Sequence, residues 1–259
     1  VPFFERLDMA KIIVIGGTGL IGSQVVTHLT AHGHEVVAAS PATGVNSITG
    51  EGLAEALTGA DVVVDVSNSP SFEKQAVLDF FTTSTTNLLA AEKVAGVGHH
   101  VALTIVGTNR PQHIDYFHAK AAQEQLIEES GVPYSFVHAT QFFEFIGTIA
   151  ATVAEGAEVR LPGALIQPIA AADVATAVAR TAAGEPLQGG IEIAGPEVFP
   201  MDDFIRRGLA FRGDSRVVVQ DPDAQYFGAH IEERTLLPID GAQIFPTTLA
   251  EWLPANPPR

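Results

Sequence analysis

Residues 16–22, GGTGLIG, constrain this chain more than any other stretch. They follow a compact β-branched run at 12–15, which reads as a buried strand. Ile21, Val25, Val26 and Leu29 then recur at helical spacing, with Gly33 as the stop. Strand, glycine turn and helix form a unit that suits a pyrophosphate. Residues without a Cβ let backbone approach the ligand, and the helix points its N–H groups and positive dipole end at it. A tight structural turn without a ligand has the same glycines, but the strand and helix on either side favour the dinucleotide reading. No Gly-Lys-Ser/Thr follows, so the turn is not a Walker-type loop.

Further along, strand and helix signals alternate. Strands are expected at 36–39, 61–66, 101–106 and 134–137. Helices are expected near 51–58 and over 71–95 and 116–130. That order predicts an α/β fold, a Rossmann-type doubly wound parallel sheet with a small C-terminal substrate lobe. The dinucleotide-binding core would span 9–155. Segments of the lobe, 156–259, would interleave with it as a single structural unit. There the pattern loosens: a helix at 142–154, a strand at 165–169, a helix at 171–183 and strands at 191–195 and 217–220. Residues 1–8, VPFFERLD, read as an expression scar ahead of Met9.

Composition narrows the function. The 259 residues carry 14 Lys and Arg against 30 Asp and Glu, a formal charge of −16. Nucleic acid is a poor partner for such a chain, because binding phosphates needs clustered cations. No apolar run is long enough for a membrane span. Cysteine is absent, which removes thiolate metal sites and cysteine nucleophiles and fits a reducing cytosol. A cytoplasmic location is therefore expected. His99 and His100 are adjacent, so their side chains diverge. His113 and His118 have no carboxylate cluster at metal-site spacing, and no metal is expected.

The adenosine end of the cofactor site falls after the second strand. An acid there would bind the ribose hydroxyls of NAD(H), and an Arg would favour the 2′-phosphate of NADP(H). This strand ends Ala38-Ala39-Ser40-Pro41, with neither. Ser40 can donate to a phosphate and does not repel it, which leans toward NADP(H). It is also a natural turn residue before proline. Ser67 and Asn68 follow the DVVVDV segment (61–66), at the sheet edge where the cofactor crevice should open. Tyr116 and Lys120 are four apart on a helix and so share a face. Thr104 lies at the end of the strand before them.

Together these pieces resemble the short-chain dehydrogenase/reductase superfamily. The remainder is similar to its atypical NmrA-like, NAD(P)H-binding branch, through YSFVHATQFF (134–143), QPIAAADVA (167–175) and IEIAGPE (191–197). The resemblance implies an NAD(P)H-dependent reductase of a carbonyl or related small electrophile, with Tyr116 as general acid. Lys120 would lower the phenol's pKa and hold the nicotinamide ribose. Thr104, with Thr108 as competitor, would hydrogen-bond the substrate oxygen where the family has serine. Gly16, Thr18, Gly19, Leu20, Ile21, Gly22, Ser40, Ser67, Asn68, Lys120, Thr140 and Gln141 would contact the cofactor. A homodimer is a family-level expectation. Several NmrA-like proteins lack the Tyr–Lys pair and act as redox sensors, so a non-catalytic sensor is the alternative. An epimerase or dehydratase on the same scaffold is a third. Phe142, Phe143 and Phe145 are expected in the core rather than in a substrate pocket. Asp173 should start a helix.

Overall fold

The computed structural model describes residues 9–110 and 113–258, so the segment read as an expression scar lies outside the described residues. The first half runs β1 (Lys11–Ile15), α1 (Gly22–Ala31), β2 (Glu35–Ala39), α2 (Leu53–Ala56), β3 (Val62–Asp65), α3 (Lys74–Ala95), β4 (His99–Ile105), α4 (Asp115–Ser130) and β5 (Tyr134–Ala139). The second half runs α5 (Ile146–Thr152), β6 (Ala154–Glu155), β7 (Glu158–Leu161), β8 (Leu165–Ile166), α6 (Ala171–Ala182), β9 (Gly189–Ala194), β10 (Phe199–Pro200), α7 (Met201–Phe211), β11 (Val217–Gln220), β12 (Gln243–Ile244) and α8 (Leu249–Ala255).

Seven strands form one sheet in the order β12-β9-β5-β4-β3-β1-β2, and its pairings are parallel throughout. Parallel strands are covered on both faces, which is why KIIVI and VVVD are almost wholly apolar. Alternate side chains serve opposite layers. Ile12 and Val14 pack with Val25 and Leu29 of α1 and Val174 and Val178 of α6. Ile13 and Val63 pack on the other side with Leu53, Leu57 and Leu88. Ala102 and Phe136 meet Leu89 and Ile127 there.

Strands β9 and β12 belong to this sheet although they lie beyond residue 155. The remaining late elements build a second core from Phe143, Ile146, Met201, Phe204 and Trp252. Two acids fasten it down. Glu144 accepts from Ala171 N–H at the start of α6 and from Trp252 Nε1 of α8. Asp173, in the first turn of α6, accepts from Thr247 N–H at 3.2 Å.

Several expectations for this half need correction. The helix expected at 142–154 is a 3₁₀ turn at Phe143–Phe145 followed by α5. The strand expected at 165–169 stops at Ile166, since Pro168 has no N–H to pair. Helices α7 and α8 were not expected. In α7, Met201, Phe204, Ile205 and Leu209 are buried at helical spacing, while Arg206 and Arg207 pair with Asp202 and Asp203 on the wet side.

Candidate active site

The glycine turn, the ends of β2 to β5 and two segments of the lobe enclose a cavity of about 640 Å³. The glycines are required by geometry. Gly16 has φ +77 and lies against the Ser67 backbone, where a Cβ would approach to 3.0 Å. A Cβ on Gly22 would meet Gly16 O at 2.2 Å, so Gly22 sets the close packing of helix on turn rather than lining the cavity. Gly17, not singled out from the sequence, is as tight: a Cβ there would lie 2.7 Å from Ala38 Cα. The backbone N–H groups of Thr18, Leu20 and Ile21 have no acceptor within the described chain.

Side chains further along the cavity are also left open. Ser40 Oγ, Thr140 Oγ1 and both polar atoms of Gln141 are buried with no partner in the chain, and all three residues line the cavity. Buried polar groups are normally satisfied. A ligand carrying ribose, phosphate and amide groups supplies the partners they lack, so the residues present fit a nicotinamide dinucleotide. Ser67 lines the same wall, but its hydroxyl is spent on Asp65 Oδ1 at 2.6 Å.

The expected pairing of Tyr116 with Lys120 on α4 needs correction. Tyr116 and Lys120 do share the cavity face of α4. Yet Tyr116 Oη donates to Asn68 Oδ1 at 3.0 Å. Lys120 turns inward, donating to Leu103 O at 2.8 Å and to Gln123 Oε1, with its Nζ 4.3 Å from the Phe81 ring centre. Gln123 in turn donates to Asp65 Oδ2 at 2.9 Å. The phenol is therefore not lowered by the ammonium; burial pushes it above its ordinary value. Burial also pulls Lys120 down from 10.5 to about 8, against Asp65 and Glu124.

The role expected of Thr104, on β4, needs correction too. It lines the cavity, but its hydroxyl donates to Glu124 Oε1, and Thr108 donates to Glu124 Oε2 at 3.0 Å. Burial works against the Glu124 charge, but His138 at 3.3 Å and the two threonines outweigh it and hold the carboxyl below its ordinary range. A carboxylate only accepts. Both candidates for the serine role thus give their proton to Glu124 and have none for a substrate oxygen.

Asp65, Gln123 and Glu124 were missed from the sequence as site residues. The available signal was on α4, where Lys120 and Gln123 fall on a face otherwise carrying Phe117 and Ile127. All four are buried. The phenylalanines divide. Phe143 is core, as expected, whereas Phe142 and Phe145 stack at 5.1 Å and line the cavity. His99 and His100 do diverge. His99 Nε2 meets Ser135 Oγ and His100 Nδ1 meets Glu92 Oε1, each at 2.8 Å.

Residues 16–185 match the sequence profile of a family described as NAD(P)H-binding. The chain belongs to that family. It is 27% identical over 158 residues to the photosystem II assembly factor Ycf39 of Cyanophora paradoxa, covering 55% of this chain and 49% of that one. The chain spans about half the length of the curated relatives it matches. Among solved structures, MoeE5 in complex with UDP-glucose and NAD superposes with TM-score 0.72 at 19% identity, over 94% of this chain and 96% of that one. The Citrobacter sp. triphenylmethane reductase with NADP(H) gives TM-score 0.63 at 19% identity, over 83% and 79%. These likenesses establish the Rossmann-like architecture. No helix among the described residues is long and apolar enough to cross a membrane.

Proposed function

We propose that this protein reduces the carbonyl of a small-molecule substrate with NAD(P)H, and that Tyr116 donates the proton. One observation carries the reading: the Tyr116 hydroxyl and the glycine turn lie in the wall of one continuous cavity. When bound, a reduced nicotinamide would supply the hydride for the new C–H bond and be left as the oxidised dinucleotide, and the carbonyl π pair would move onto oxygen. That oxygen takes its proton from Tyr116, and the product is an alcohol. A phenol held above its ordinary pKa keeps its proton at neutral pH. It is a poor base for an alcohol but a usable acid toward an incipient alkoxide.

The glycine turn, Ser40, Thr140 and Gln141 would hold the cofactor. Two of the three Lys120 hydrogens are taken by Leu103 and Gln123, which leaves one for a ribose hydroxyl. NADP(H) is placed ahead of NAD(H) because Ser40 Oγ is unpartnered and, among the described residues, no carboxylate lines the cavity to repel a 2′-phosphate. The test is turnover of a carbonyl panel by wild type and by Tyr116→Phe. Wild-type turnover retained in the variant removes Tyr116 from the mechanism.

A second reading, a non-catalytic NAD(P)(H) sensor, is favoured by one feature: Lys120 and Thr104 are both engaged elsewhere. It predicts unequal affinity for oxidised and reduced cofactor and a cofactor-dependent change in protein association. Equal affinities with no change in association would remove it.

A further inference from the structure

The cavity beyond the glycine turn is lined in an unusual way for a fold whose neighbours include a protein holding UDP-glucose. Among the described residues that line it, Lys120 is the one charged residue. A nucleoside diphosphate carries its charge on phosphates, which proteins grip with arginines and lysines in fixed forks. No such fork is present among the described residues at the far end.

What is present is aromatic. Phe142 and Phe145 stack on one side at 5.1 Å with 14° between their planes. On another side Phe72 joins Tyr116 at 5.8 Å and Phe227 at 5.5 Å. These three rings also border a smaller adjoining hollow reached by Glu73 and Asp115, so they form a wall between an apolar space and a polar one. Phe72 is 47% exposed.

Phe227 is held in place at a conformational cost. Tyr226 and Ala229 exchange backbone hydrogen bonds of 2.8 and 3.1 Å, which closes a two-residue hairpin over Phe227 and Gly228. Both central residues have positive φ, +45 and +80. That turn favours Asn-Gly or Gly-Gly, and a bulky side chain at its first position is strained. Such strain persists where the surroundings use it, typically at ligand sites. Here the ring it presents closes the aromatic wall.

We propose that this cavity binds an uncharged, flat ring compound, a conjugated or aryl ketone or quinone, lying between the Phe142–Phe145 pair and the wall of Phe72, Tyr116 and Phe227. Stacking and desolvation supply the affinity. The proximity of Tyr116 puts a ring-bound carbonyl within reach of the proton donor. The choice of a carbonyl rests on the reductase reading; the choice of an uncharged ring does not.

The experiment is calorimetric titration of the full chain, saturated with oxidised cofactor so that nothing turns over, with 1-acetonaphthone and, separately, UDP-glucose. Phe227→Gly is the variant, because glycine suits the hairpin and removes only the ring. Expected are binding of 1-acetonaphthone to wild type and loss of at least tenfold in affinity in Phe227→Gly, whose melting temperature is unchanged or higher. UDP-glucose should not bind. Equal affinity of 1-acetonaphthone for both proteins, no binding of it to wild type, or tighter binding of UDP-glucose overturns the proposal. Ring-dependent binding without turnover once reduced cofactor is added would instead defeat the reductase reading and leave the ring site standing. Turnover of aliphatic ketones with no affinity for 1-acetonaphthone would do the reverse.

Discussion

Tyr116 donates to Asn68 Oδ1 at 3.0 Å, while Lys120, one turn further along α4, gives its protons to Leu103 O and Gln123 Oε1. The two residues share a helix face without sharing a hydrogen bond. Tyr116 therefore acts, in this account, as a phenol that keeps its proton until an alkoxide forms beside it.

Replacing Tyr116 by Phe should lower kcat by about 100-fold or more, the usual scale for losing a general acid. Cofactor affinity should stay within about twofold of wild type, since the proton is used only in the transition state. Steady-state kinetics together with a cofactor titration on the same preparation check both halves.

Lys120 makes the stability of the protein depend on alkaline pH. Its ammonium is lowered from 10.5 to about 8 by burial. Between those values the unfolded chain binds a proton that the folded chain does not. Stability from this group therefore rises with pH through that window and is lowest below it. Lys120→Met removes the dependence. The stability difference, variant minus wild type, should fall by about 2 kcal/mol between roughly pH 7.5 and 9.5. Urea unfolding at the two pH values measures it, and an unchanged difference contradicts the assignment.

His99 acts at the acid end. Burial, with His100 adding to it, lowers His99 from 6.5 to about 4. The unfolded chain protonates first as pH falls, so stability is present above 6.5 and lost on the way down to 4. His99→Gln should flatten that limb by about 2–3 kcal/mol relative to wild type. Thermal unfolding compared at pH 7 and pH 4.5 reads the effect.

Gly22→Ala places a Cβ 2.2 Å from Gly16 O. It should destabilise the protein by about 1–3 kcal/mol and weaken cofactor binding, because helix and turn must separate. Gly19→Ala meets the same oxygen at 3.2 Å and should be milder in both respects. Chemical denaturation and cofactor titration of the pair give the ranking.

The sheet was legible because its signals are local. KIIVI and VVVD carry the continuous apolar character of strands covered on both faces, and the glycine turn fixes how the first strand joins its helix. The lobe was harder. Helix α7 has a regular apolar stripe at 201, 204, 205 and 209, but its four charged residues dilute that signal in the sequence. Phe142 and Phe145 look like core in a sequence because burial and cavity lining use the same residue types. The orientation of Lys120 was beyond reach from spacing alone. It depends on Gln123 and Asp65, and Asp65 arrives from β3, 58 positions away from Gln123. The same holds for Thr104, whose proton is claimed by Glu124, 20 residues on.

The measurement that tests the account most directly is a fluorescence titration of the purified chain with NADPH and with NADH. The account predicts micromolar or tighter binding, with NADPH ahead of NADH, and loss of NADPH affinity in Ser40→Ala. No binding of either cofactor up to millimolar concentration would contradict it. GGTGLIG would then be a structural turn, and the open hydroxyls and amide of Ser40, Thr140 and Gln141 would be serving some other ligand.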